Sequence, residues 1–184
     1  MEFKKVLSSL LRSFEEEKIR YGLMGGFSLL VLGIPRTTVD LDFLVHKDDL
    51  QKLDGLMERL GYKLFFRTDN VSQYTSPNPE LGGVDFVHAF RNYARKMLER
   101  VQSRKLEDLV VKVLRPEDII GLKVQAIAND PLRKNRELAD IESIFDKLGN
   151  EIDQDLLREY FQVFGMEEEY NHLVKRHGDL NPGR

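Results

Sequence analysis

The segment running from Gly25-Gly26 through Phe27-Ser28-Leu29-Leu30-Val31-Leu32-Gly33 to Thr38-Val39-Asp40-Leu41-Asp42-Phe43-Leu44-Val45 constrains the fold more than any other part of the chain. An apolar strand pattern over 19–24 is broken by two glycines, and a short helix follows that Gly33 and Pro35 stop. A second strand over 38–45 then carries two acids one residue apart. Residues two apart on a strand point to one face with about 6.6 Å between their α-carbons, so Asp40 and Asp42 share a face opposite Val39, Leu41 and Phe43. Like charges placed so repel unless a cation lies between them. Mg²⁺, a hard ion that takes carboxylate oxygens and keeps waters for phosphates, suits the pair. The plain alternative is the solvated face of an amphipathic strand. Upstream, the backbone N–H groups of Gly25 and Gly26 and the helix start can hold an anion, with Ser28 adding a hydroxyl, although glycine pairs at strand ends also make ordinary turns. The combination and its spacing carry the reading.

The rest of the chain supplies a mixed architecture. Val6, Leu7, Leu10, Leu11 and Phe14 recur at helical spacing in an opening helix, and Leu50, Leu53, Leu56, Met57 and Leu60 define another that Gly61 ends. Strands are expected at Tyr-Lys-Leu-Phe-Phe-Arg (62–67), at 71–76, at 84–90 and at 109–114, with 77–83 as a hairpin connection. Residues 91–105 read as a basic helical segment. Helices are expected from Pro116, over 134–148 and over about 152–164, and the polar tail 165–184 reads as partly mobile. The order implies an α+β fold: a mixed sheet covered on one side, flanking helices and a helical C-terminal portion, with a core over 1–115 and residues 116–184 packed on it as one compact domain.

Bulk properties close several routes. The chain has 184 residues and no cysteine, which excludes disulfides, thiolate zinc sites and cysteine nucleophiles. A net charge of −3 gives no global field toward nucleic acid or an anionic membrane. No signal-peptide core or membrane span is visible, so a cytoplasmic protein that does not bind membrane is expected. His46, His88, His172 and His177 lack metal spacing, and no nucleophile elbow or Gly-Lys-Ser/Thr phosphate loop is present. Lys123 falls inside the apolar stripe of Ile119, Ile120, Ala126 and Ile127, where an ammonium needs an anion, either a protein carboxylate or a nucleotide phosphate. A stem snorkelling at the stripe edge is the alternative. Glu137 lies in the stripe of the next helix.

Gly25-Gly26, thirteen residues and then Asp40-Leu41-Asp42-Phe43 resemble the signature of the nucleotidyltransferase superfamily typified by DNA polymerase β. With Arg115-Pro116-Glu117-Asp118 leading to Lys123, and Arg136-Glu137-Leu138-Ala139-Asp140, the chain looks most like the small AbiEii/AbiGii-type toxin nucleotidyltransferases over about residues 20–148. The resemblance implies the polymerase-β-like fold and a third acid on a neighbouring strand, for which Asp85 fits. It implies that Asp40, Asp42 and Asp85 bind two Mg²⁺ ions and that Asp85 helps deprotonate an acceptor hydroxyl. A nucleoside monophosphate then passes in line from a nucleoside triphosphate such as ATP. The run Arg36, Thr38, Asp40, Asp42 matches the family's Arg-x-Thr-x-Asp-x-Asp. Lys123 matches a catalytic lysine and Asp140 a nucleotide-side acid, with Glu137 departing from the commoner Asp; pairing of Lys123 with Glu137 or Asp140 is an alternative role. The acceptor is open among tRNA or other RNA, a protein and a small molecule. Arg91, Arg95, Lys96, Arg100, Arg104 and Lys105 offer a phosphate path on one helix, and an antitoxin partner is a further expectation. Two rivals stand beside this reading: an inactive relative that serves as a binding module, and a metal-dependent phosphohydrolase.

Overall fold

The computed structural model describes residues 1–180, with side chains through Arg176. The chain divides into two units, Met1–Leu114 and the part beginning at Arg115.

The first unit is built on a seven-stranded mixed sheet. Helix α1 (Phe3–Glu16) ends where Lys18 takes a left-handed turn, and strand β1 (Tyr21–Met24) runs directly into the short helix α2 (Gly25–Val31). Strand β2 (Leu41–His46), helix α3 (Leu50–Arg59), β3 (Lys63–Arg67), β4 (Val71–Thr75), β5 (Gly83–Ala89), α4 (Asn92–Glu99), β6 (Gln102–Leu106) and β7 (Leu109–Val113) follow. The strand order is β3-β4-β5-β2-β1-β7-β6, in which β2 and β5 are parallel, as are β1 and β7.

Alternation along each strand assigns its two faces. Leu23, Leu41, Phe43, Val84 and Phe86 form the core face, all fully buried. On it the Phe14 ring of α1 lies 5.3 Å from that of Phe43 and 6.3 Å from that of Phe86. Burial of each such side chain contributes about 1.5–3 kcal/mol. The opposite face carries Asp42 and Asp85 at one end. At its other end Leu44 and Ala89 are buried, and a methyl on Gly22 would meet Leu114 and Val101. The sheet is therefore not covered on one side only, because these apolar residues need a roof as much as the core face does.

Two further expectations are corrected. Residues 91–105 are not one helix: α4 stops at Glu99, and Gln102–Leu106 pairs antiparallel with β7 through a tight turn in which Glu107 has φ +53°. Its cross-strand hydrogen bonds outweigh the helical reading of its charges. The tail is not loose over 167–180, because Met166, Tyr170 and Leu173 are buried and α8 (Glu167–Leu180) forms. Residues 181–184 lie outside the described ones.

The second unit is helical. Helices α5 (Pro116–Asn129), α6 (Lys134–Leu148) and α7 (Gln154–Val163) precede α8. Pro116 opens α5 at a position that needs no N–H donor, and Asp153 caps α7 by accepting from the Leu156 amide at 3.1 Å. Gly121 lets α5 approach α7: a methyl there would stand 2.8 Å from the Tyr160 ring. The Tyr160 hydroxyl donates to Asp118 at 2.7 Å, so this buried carboxylate is met from the facing helix. Among the described residues no helix is long and apolar enough to cross a membrane.

Candidate active site

The acids of the first unit are positioned by the register of β2 and β5. Asp42 and Asp85 are directly opposed in that parallel pair, and Asp42 opposes Met24, the last residue of β1, on its other side. Asp40 lies one residue before β2 rather than inside it, because regular pairing with β5 starts at Leu41 and Val84. It stays close all the same: a methyl on Gly83 would stand 3.0 Å from Asp40 Oδ1, and Asp40 acts on Asp85 electrostatically. All three acids are half-buried.

Gly25 fits against Asp42. Its φ is +68°, and a Cβ would fall 2.0 Å from Asp42 Oδ2, so the strand-to-helix turn leaves room for the carboxylate only with glycine here. Gly26 packs on Thr38, with 3.0 Å from its would-be Cβ to Thr38 Oγ1 and 3.8 Å to Arg36 Cγ. Thr38 Oγ1 donates to the Asp40 carbonyl at 3.2 Å, which ties the approach loop to the acid. Arg36 is half-buried and donates to the Thr37 carbonyl at 3.3 Å. Ser28 is fully buried, and its hydroxyl proton goes to the Gly25 carbonyl at 2.7 Å. It holds the turn rather than facing outward.

Asp85 has its carboxyl raised from the ordinary range, first by burial and further by the charge of Asp40. Gln73 on β4 opposes it, donating from Nε2 to Asp85 Oδ2 at 2.9 Å. Neither Gln73 nor Gly83 carries a sequence signal of its role. Only the β4–β5 register brings Gln73 opposite Asp85, and no local pattern announces it. His88 lies on the core face, buried and bonded to Ser72 Oγ at 3.0 Å and to the Asp69 carbonyl at 3.0 Å, and burial pushes its pKa down. Among the described residues no group of three or more acids or histidines is already drawn into a metal-coordinating arrangement.

In the second unit Lys123 is buried and donates to Glu137 Oε2 at 2.8 Å and to Asp140 Oδ2 at 2.6 Å. Glu137 also takes Arg133 at 2.6 Å and 3.1 Å. Burial works to raise the Glu137 carboxyl, but Lys123 and Arg133 prevail and hold it below the ordinary range. The anion that the position of Lys123 demands is thus supplied by protein carboxylates on α6.

Known structures share this fold. The antibiotic-resistance factor ANT(2'')-Ia in complex with adenylyl-2''-tobramycin superposes with a TM-score of 0.67 at 14% identity over 87% of this chain and 97% of that one. A solution structure of ANT(2'')-Ia gives 0.63 at 14% identity over 96% and 98%. An antigenic nucleotidyltransferase-like protein from Paracoccidioides brasiliensis gives 0.60 at 19% identity over 98% and 91%. At these identities the likeness is one of fold alone, and comparison with curated proteins gives no match. The model of a family described as uncharacterised nucleotidyltransferase matches residues 2–175, taking in the glycine pair, all three acids and the Lys123 helix pair alike, and the chain belongs to that family.

Proposed function

We propose that the protein transfers a nucleoside monophosphate from a nucleoside triphosphate to an acceptor hydroxyl at Asp40, Asp42 and Asp85, with Mg²⁺ as the ion. The observation that carries this reading is the packing of Gly25 against Asp42 while Asp42 and Asp85 stand opposite one another on parallel strands. The donor set fits a hard divalent cation: it is all carboxylate, and the glycines at 25 and 83 keep the space beside two of its members free of side chains. Asp40 and Asp42, with Asp85, would hold up to two such ions. When bound, they neutralise the triphosphate and make the α-phosphorus more electrophilic.

The chain's own groups supply the rest. Gln73 fixes one oxygen of Asp85, and the raised proton affinity of that carboxyl suits it to take the acceptor's proton. The acceptor oxygen then bonds to the α-phosphorus, the bond from that phosphorus to its bridging oxygen breaks, and pyrophosphate leaves. The Gly25-Gly26 turn, shaped by Ser28, and the adjacent Arg36 form the phosphate side of the site. Lys123, Glu137 and Asp140 act as a supporting cluster that fixes α5 on α6.

The ANT(2'')-Ia complex holds adenylyl-2''-tobramycin, an adenylylated small molecule, and a small-molecule hydroxyl is the acceptor we favour here. The basic stretch 91–105, divided between α4 and β6, offers no single helical path for tRNA or other RNA. The AbiEii-like toxin reading, with a protein acceptor or an antitoxin partner, rests on the sequence resemblance. The test is incubation of the chain with each α-labelled triphosphate and Mg²⁺, followed by mass spectrometry of small molecules, RNA and protein. The expected outcome is a nucleotidyl adduct and pyrophosphate, both abolished in the Asp40→Asn, Asp42→Asn double variant. Triphosphate binding without any adduct would identify a binding module instead, and release of orthophosphate without an adduct a hydrolase.

A further inference from the structure

Strand β3 presents Leu64, Phe65 and Phe66 at the sheet edge, 48%, 74% and 47% exposed, and local sequence gives no reason for three large apolar groups in water. The register supplies one. Leu64 opposes Tyr74 and Phe66 opposes Gln73, so Phe65 is the extra residue of a β-bulge. Without the bulge Phe66 would follow Leu64 onto the strand position opposite Ser72, on the core side. With it, Arg67 takes that position, where it donates to Asp54 Oδ2 at 2.9 Å and to the Tyr74 hydroxyl at 2.7 Å. Pinning Arg67 to the core side turns Phe66 to the other face. There a single cross-strand row runs Phe66, Gln73, Asp85, Asp42.

Around this row Val71, Gln73 and Val87 are partly buried and Thr75 is exposed. Phe66 stands two strand spacings from Asp85, roughly 10 Å, with Gln73 between them and bonded to the carboxyl, so a ring lying over Gln73 would meet the aromatic group at one end and the carboxyl at the other. The strip is nearly uncharged. Lys63, opposite Thr75, is the cation that β3, β4 and β5 place on this face, whereas a nucleic-acid acceptor needs several cations along its phosphates.

Resting on the transferase reading above, we propose that this strip is the acceptor subsite and that Phe66 stacks on the apolar face of a pyranose-type sugar ring, setting its hydroxyl before Asp85. Phe66 is then a specificity-determining residue, and the bulge at Phe65 is the device that aims it.

The test is saturation-transfer NMR on the full chain, with methyl β-glucopyranoside as the sugar probe and oligouridylate as the polyanion probe. Ring C–H signals of the sugar are expected to respond with wild type, with Phe65→Ala and with Phe66→Tyr. Phe66→Ala is expected to lose roughly tenfold in affinity. The proposal is overturned if the sugar gives no response, if Phe66→Ala binds it as wild type does, or if oligouridylate alone depends on Phe66. Binding of Mg²⁺-triphosphate to wild type is measured in parallel. Sugar binding at Phe66 without triphosphate binding would keep the sugar site and remove the transferase reading, so the two failures are distinguishable.

Discussion

Gly25 has φ +68°, with a would-be methyl inside contact distance of Asp42. Gly25→Ala therefore meets two penalties: a left-handed backbone that costs an L-residue about 1–2 kcal/mol, and displacement of the carboxylate it touches. The expected outcome is a folded protein by circular dichroism that has lost most of its triphosphate affinity. Asp85 gives the opposite kind of signature. Burial, aided by Asp40, raises its carboxyl, so the charged form costs more in the native state than in the unfolded chain. Stability from this group is greatest below the ordinary carboxylate pKa and declines as pH rises through the folded value. Asp85→Asn removes that cost while keeping a group of the same shape. It is expected to raise the thermal midpoint at pH 7 and to lower transfer roughly 10²–10⁴-fold, with the stability gain vanishing near pH 3. A midpoint that falls at pH 7 would mean that Asp85 is a structural acceptor rather than a strained functional one.

Elements were legible in the sequence to the degree that their periodicity was complete. Helix α6 spans the expected 134–148, and the five apolar residues expected on α1 are all buried there. Strand β6 does not show in the sequence, because Gln102-Ser103-Arg104-Lys105 has no apolar alternation and takes its conformation from pairing with β7. The bulge in β3 was invisible for a related reason, since a shift in register is a property of two strands and not of one. In the site, the glycine pair and Asp42 could be read locally. The partnerships of Asp85 with Gln73 and of Asp40 with Gly83 come from tertiary register. Lys123 was readable as a buried cation, but only the packing of α5 on α6 shows that Glu137 and Asp140 both answer it. Lys123→Met should remove the ammonium that two buried carboxylates share, leaving Arg133 on Glu137, and cost about 3–5 kcal/mol in urea denaturation. Adding Glu137→Gln and Asp140→Asn should recover much of it. Because Lys123 and Arg133 hold Glu137 below its ordinary range against burial, wild-type stability from this cluster is present above the ordinary Glu pKa and is lost as pH falls through the lower folded value. The triple variant should lack that acid-side loss.

Across the whole molecule, the acids sit in the unit Met1–Leu114 and the Lys123 cluster in the unit from Arg115. A triphosphate bound with Mg²⁺ to the native state alone stabilises by mass action, about 2.7 kcal/mol at a ligand concentration a hundredfold above its dissociation constant. For a chain of this length that corresponds to a rise in thermal midpoint of roughly 5–10 °C. The rise should require both partners: triphosphate with EDTA, or Mg²⁺ alone, should give little. Asp40→Asn with Asp42→Asn should abolish the shift. Lys123→Met should lower the starting midpoint but keep the ligand-dependent increment, because its ammonium is taken up by Glu137 and Asp140. If the increment disappears in Lys123→Met while the protein is still folded, the supporting role given to that lysine is wrong, and it acts on the nucleotide itself.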